Sequence, residues 1–288
     1  MATSFVNLRP TSSCLIGSAM DAVFVSRGER PIILTQPHSG TYVPEEIYTQ
    51  LNSLGQQLLD TDWHIPKLYE GLIEGATIIR ANFNRYAIDA NRDPQGKPLY
   101  PGQNSTELVP LTSFDGKEIW TNKPSEGDIK NRLLNLHGAY HKAISREIDS
   151  LKQKFREVLI YDCHSIRSTI PYLFDGRLPD LNIGSNSGAA CASDLALAIE
   201  RVCKRSSEFS YVMNGRFKGG WTTRHYGRPK QGVHAIQMEL SQACYLKKER
   251  PPFEYDDKRA NILRETLANI LQELVICIEN KSSKRVES

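Results

Sequence analysis

The sequence predicts a single α/β domain with a central mixed, largely parallel sheet flanked by helices. Three observations carry this. Short apolar runs at Pro31 to Thr35, Val158 to Tyr161 and Val233 to Leu240 have the length and composition of buried strands. Stripes of apolar residues at helical spacing alternate with them, notably Leu133, Leu136, Tyr140, Ile144, Ile148, Leu151 and Phe155. No composition break or internal repeat divides the 288 residues. Residues 1–22 are weakly periodic and are set apart as an N-terminal extension without an assigned function. The catalytic domain is expected over 23–288.

The first strand, Pro31 to Thr35, is ended by Pro37-His38-Ser39-Gly40, which places His38 just past a strand's carboxyl end. A helix is expected from Pro44. Another runs from Asp62 to Ile73, with Ile65, Leu68, Tyr69 and Leu72 on one face and Gly75 as its stop. Ala76 to Arg80 reads as a second strand and Tyr86 to Asp89 as a short extended piece. Lys97 to Ser125 is rich in Pro, Gly, Asn, Ser and Thr, the composition of a long surface excursion of the kind that covers sites. The long helix ending near Phe155 leads into the strand that delivers Asp162-Cys163-His164-Ser165. A helix over Ser193 to Cys203, a Gly- and Arg-rich stretch from Asn214 to Gly227, the Val233 to Leu240 strand and a C-terminal helix complete the chain. In that last helix Leu263, Leu267, Ile270, Leu274 and Ile278 face inward. Ligands of such sheets bind beyond the strands' carboxyl ends, where these histidines fall.

Composition narrows the function classes. Thirty-six Lys and Arg against 33 Asp and Glu leave a formal charge of +3, which argues for neither nucleic acid nor a membrane surface. No apolar run reaches membrane-spanning length and no secretory start is present, so a cytoplasmic location is expected. The six cysteines form no C-x-x-C pair and are read as reduced thiols.

The candidate chemistry centres on His38 and His164, each set among small or polar residues that cannot fill a core. A catalytic zinc takes three His or carboxylate ligands and leaves a position for water, so a carboxylate is required near the pair. Asp62 is the choice; Asp60 is an N-cap or an alternative ligand, and His64 a ligand or an orienting group. Asp162 is expected on the strand face opposite His164, orienting the site or buried in a hydrogen bond. Glu239 closes an apolar strand. It reads either as a general base or as the partner of an arginine. Arg85, Arg92, Arg167, Arg177, Arg216, Lys218 and Arg224 lie in loops beside these motifs and suggest recognition of a small dianion.

Together the stretches PHSGTYVP from Pro37, DTDWHIPKLY from Asp60, RYAIDANRDP from Arg85 and DCHSIRS from Asp162 resemble the N-formylglutamate amidohydrolase family. FDGRLPDLNIG from Phe174, NGRFKGGWTTRHYG from Asn214 and QMELSQ from Gln237 extend the resemblance over about Val23 to Phe253. It implies hydrolysis of N-formyl-L-glutamate to formate and L-glutamate in histidine degradation. More distantly, DCHS and IDANR are similar to motifs of zinc carboxypeptidases and aspartoacylases, which implies a zinc-carboxypeptidase-like (phosphorylase/hydrolase-like) fold. The departure is at Thr41, where those enzymes carry a ligating carboxylate. The resemblance implies zinc, or another divalent transition metal, on His38, Asp62 and His164, with Glu239 as base. It further implies Asn91 and Arg92 on one substrate carboxylate, and Arg85, Arg167, Arg216 and Arg224 on the other carboxylate or the oxyanion, assisted by His225. The partner expected is a small anionic amide; a homo-oligomer is left open. Rival readings are a zinc deacylase of another N-acyl acidic amino acid, a thiol amidase using Cys163, and a non-catalytic binder of acidic metabolites.

Overall fold

The structure is a computed structural model that describes residues 21–97, 102 and 104–283. Of the N-terminal extension, all but Asp21 and Ala22 lies outside them. Seven strands form one mixed sheet in the order β1-β3-β2-β4-β7-β5-β6. They are β1 (Val23–Ser26), β2 (Ile32–Gln36), β3 (Thr77–Ala81), β4 (Val158–Ile166), β5 (Leu181–Gly184), β6 (Tyr211–Met213) and β7 (Val233–Ser241). The central strands β3, β2, β4 and β7 are parallel, whereas β1 runs antiparallel to β3 and β5 antiparallel to β7.

The helices are α1 (Glu45–Tyr48), α2 (Ile65–Tyr69), α3 (Glu126–Arg132), α4 (Gly138–Lys154), α5 (Ser193–Arg205), α6 (Trp221–Tyr226) and α7 (Asp257–Ser283). Strand alternation sorts the core into two layers. Ile32, Leu34, Leu159, Tyr161 and Cys163 point toward α2, α5 and α7, and the predicted inward face of α7 is fully buried there. Ile33, Val158, Ile160 and Ala235 point the other way, against Tyr140, Ile144, Ile148 and Leu151 of α4. Being covered on both faces, β2 and β4 read as continuous apolar runs rather than alternating ones.

Four expectations are revised. α2 begins only at Ile65, because His64 adopts a left-handed backbone (φ 61°) that breaks the helix before Asp62 could open it. Tyr86–Asp89 forms a turn and irregular backbone, not an extended piece. The stretch after Lys97 is no simple surface excursion, since Val109, Phe114, Ile119 and Trp120 are buried. β4 runs on through Ile166, so His164 lies within a strand instead of following one.

Candidate active site

Continuation of β4 and β7 past their apolar halves is what builds the site. In register, Asp162 pairs with Gln237 and His164 with Glu239. All four share the α4 face of the sheet, opposite Cys163 and Met238. The expectation that Asp162 opposes His164 is therefore corrected: residues two apart in a strand share a face.

His38 reaches the same place from the segment after β2. Gly40 is needed there, because a Cβ would stand 2.4 Å from the Phe83 carbonyl oxygen. The segment carrying Asp62 is tied to it by a hydrogen bond from the Asp62 N–H to the His38 carbonyl (3.1 Å). Asn84 clips the two together, donating through Nδ2 to the Gly40 carbonyl and to Thr61 Oγ1, both at 2.9 Å. The outcome is a buried group in which donor atoms of His38, Asp62 and His164 lie within 4.8 Å of one another.

Each histidine is oriented from behind by a carboxylate. His38 Nε2 donates to Asp89 Oδ1 at 2.6 Å, and His164 Nε2 donates to Asp162 Oδ2 at 2.9 Å. Both rings therefore turn Nδ1 toward Asp62, whose Oδ2 is 3.2 Å from His164 Nδ1 and 3.9 Å from His38 Nδ1. Asp62 Oδ2 also accepts from the Ser165 N–H, while Asp62 Oδ1 is buried without a hydrogen-bond partner. Two inward imidazole nitrogens, a carboxylate with an orphaned oxygen, and carboxylates behind both rings fit a divalent transition metal such as zinc. Asp60 is neither ligand nor cap. Its Oδ2 accepts from the Tyr86 hydroxyl and the Phe114 N–H, and burial raises its pKa. His64 turns away and bonds to the Phe253 carbonyl.

The electrostatics are those of a cation site. Burial opposes charge on His164, but Asp162 and Asp62 outweigh it and hold the imidazole well above the usual histidine range. Burial and Arg85 instead lower His38. Asp89 is held well below the carboxylate range because Arg92, His38 and Arg85 together overcome its burial. Glu239 is pushed up to about 8 by burial, with His164 pulling the other way. Among the described residues it forms no ion pair, so the expectation of an arginine partner is not met. Its carboxylate accepts from Gln237 Nε2, and Gln237 in turn accepts from the Gly220 N–H.

Above this base opens a cavity lined by His38, His164, Glu239, Arg85, Asn91 and Arg92 below and by Asn104–Thr106, Phe114, Leu173, Arg216 and Phe217 above. The anticipated residues divide. Asn91 lines the cavity but is pinned, with Oδ1 accepting from the Thr222 N–H and Nδ2 donating to Asp162. Arg92 donates to Thr106, and Arg85 pairs with Asp89 at 2.6 Å. Arg216 donates to the Leu173 and Asn104 carbonyls. Arg167, Arg224 and His225 do not line the cavity: Arg167 pairs with Asp115, Arg224 donates to the Gly219 carbonyl and His225 stacks on Trp221.

Comparison with known proteins decides the family. The N-formylglutamate amidohydrolase family description matches residues 30–246. This chain belongs to the N-formylglutamate amidohydrolase family. It is 42% identical over 260 residues to N-formylglutamate deformylase of Pseudomonas aeruginosa, covering 89% of this chain and 97% of that one. With the N-formylglutamate deformylase of Pseudomonas putida the identity is 40% over 252 residues, covering 86% and 94%. The fold is similar to the crystal structure of N-formylglutamate amidohydrolase from Ralstonia eutropha, with a TM-score of 0.76 at 22% identity, covering 91% of this chain and all of that one. Among the described residues of this family member, no helix is long and apolar enough to cross a membrane.

Sequence reasoning passed over Asp89, Asn84 and Gln237 as orienting groups. For Gln237 a signal existed: a polar residue two before Glu239 in a strand shares its face. Asp89 and Asn84 act from turns, whose geometry periodicity does not report.

Proposed function

We propose that this chain hydrolyses N-formyl-L-glutamate to formate and L-glutamate, as a cytoplasmic step of histidine degradation, with a divalent metal held by His38 Nδ1, Asp62 and His164 Nδ1. Zinc is the metal the donor set suits best. The observation that carries the reading is the buried His38, Asp62 and His164 group, with Glu239 facing His164 across the β4–β7 pair. The names of the Pseudomonas relatives support the substrate.

A metal bound there would lower the pKa of a water and polarise the formyl carbonyl. Glu239, held by Gln237 and with no arginine ion pair among the described residues, takes the proton as the water oxygen bonds to the formyl carbon. It then returns that proton to the leaving nitrogen as the C–N bond breaks. Asp89 and Asp162 hold both rings through Nε2, which leaves each Nδ1 as the nitrogen that faces Asp62 and would serve a metal. Arg92 and Asn91 line the cavity on the side assigned to one substrate carboxylate. Arg216 at the mouth and Arg85 at the base are the cations for the other carboxylate and for the oxyanion.

The test is release of glutamate from N-formyl, N-acetyl and N-succinyl glutamate, run with metal analysis of the same preparation. Turnover selective for the formyl compound, together with about one zinc per chain, is expected. Full activity in protein that contains no metal after exhaustive chelation would overturn the metal assignment, and selectivity for a longer acyl group would overturn the substrate.

A further inference from the structure

Two histidines outside the cavity, the buried His137 and the half-buried His141, serve no step above. His137 closes the π turn Leu133–His137 that joins α3 to α4, and His141 lies one turn on, at the start of α4. Such turns shift the register of a helix face and recur at functional sites. Here the two rings come to face the turn that follows Asp89, with centroids 4.3 Å apart. His141 Nε2 lies 2.8 Å from the Ala90 carbonyl oxygen, and His137 Nε2 lies 3.0 Å from that of Arg92. A carbonyl can only accept, so both rings carry their proton on Nε2. The Tyr226 hydroxyl stands 3.0 Å from His141 Nδ1. Between them, the Asn91 carbonyl accepts from the Trp221 N–H at 3.3 Å.

Three consecutive carbonyls are thus held from outside the site, and the residues they belong to act inside it. Asp89 Oδ1 accepts from both His38 Nε2 and the Asn91 N–H (2.8 Å), and Asn91 Nδ2 reaches Asp162 and lies 3.0 Å from His164 Nε2. A shift of this turn would move the groups behind both metal-ligating imidazoles together. We propose that His137 and His141 are positioning residues, a paired buttress that sets the Ala90–Arg92 turn and through it the orientation of His38 and His164. Burial lowers His137 and, with His137 beside it, pushes His141 down to about 3, which keeps both rings uncharged at neutral pH.

The inference rests on the metal site proposed above, and the test separates the two. In the full chain His137 and His141 are each replaced by Gln, whose Nε2 can still reach the carbonyl, and by Asn, whose amide stops at the Nδ1 position. Zinc affinity is read by chelator competition, kcat and KM with N-formylglutamate, and amide hydrogen exchange at Asn91 and Trp221. The Asn variants are expected to bind zinc about tenfold more weakly and to lose kcat in proportion, with KM little changed and faster exchange at both amides. The Gln variants return to within about threefold of the parent. Asn variants that match the parent in all three readouts overturn the buttress, as does an equal loss in Gln and Asn with zinc affinity untouched. If the parent protein neither binds zinc nor turns over, the functional reading fails. The exchange rates, which need neither metal nor substrate, then decide the buttress alone.

Discussion

The floor and the mouth of the cavity are built by different means. On the floor, His164, Asp162, Gln237 and Glu239 are placed by the pairing of two nine-residue strands, and Asp62, Asp89 and Asp162 are almost wholly enclosed. Each polar group there is held by another, so the arrangement is over-determined before any ligand arrives. The mouth is made of loops. Asn104–Thr106, Leu173, Arg216 and Phe217 are joined by hydrogen bonds to neutral carbonyls and by a small apolar cluster of Phe114, Ile166, Ile170 and Leu178, separate from both main layers. The contrast teaches that arginines near a site are not equivalent. Arg85 and Arg167 are engaged with carboxylates of the protein itself, whereas Arg216 donates to carbonyls at the entrance.

If the floor carries the chemistry, damage there should cost most. Asp62→Ala should lose bound metal and lower kcat/KM by at least about a thousandfold, while Glu239→Gln should keep its metal and lose about 10²- to 10⁴-fold in kcat. Metal content measured beside turnover separates the two, and near-normal turnover in Glu239→Gln would remove it as the base. One layer out, Asp89→Asn and Asp162→Asn should weaken metal binding by about 10- to 100-fold, since each leaves an imidazole without the carboxylate that fixes its tautomer. Unchanged affinity in both would mean the rings are set by packing alone. At the mouth the effect should change in kind: Arg216→Ala should raise KM about tenfold with kcat nearly constant, as expected for a group that binds ground and transition states alike. A fall in kcat at constant KM would instead move Arg216 into the reaction.

The same contrast marks what the sequence could and could not reveal. Sheet class, the long helices and the positions of His38, His164 and Glu239 were legible because burial imposes periods of 2 and 3.6 on apolar residues, and a polar residue interrupting such a period stands out. The outer strands β1, β5 and β6 leave no such trace; two of them have four residues and one has three, too few for alternation to show. The need of a third ligand points to Asp62, but the reason it arrives is a break: the left-handed His64 backbone and the Asn84 clip, neither of which leaves a periodic trace. Arg167, Arg224 and His225 were drawn in by sequence proximity to motifs, and loops carry no register that would show them turned elsewhere.

The smallest effect should come from Cys163, the thiol next to His164 in sequence. Cys163 lies between Asp162 and His164, and a thiol route would require its sulfur on their face of the sheet. Strand alternation puts it instead among Leu159, Tyr161 and Met238 in the layer under α5 and α7. Burial, with Asp162 nearby, holds its thiol well above the usual range, so a thiolate is unavailable, and the Sγ lies 3.6 Å from the Tyr161 carbonyl oxygen. Cys163→Ala should therefore keep kcat and KM within about twofold and cost about 1 kcal/mol of stability through lost packing. Thermal unfolding and steady-state kinetics on the same sample check both halves. A variant that folds at the parent's melting temperature but loses turnover would return the sulfur to the floor of the cavity.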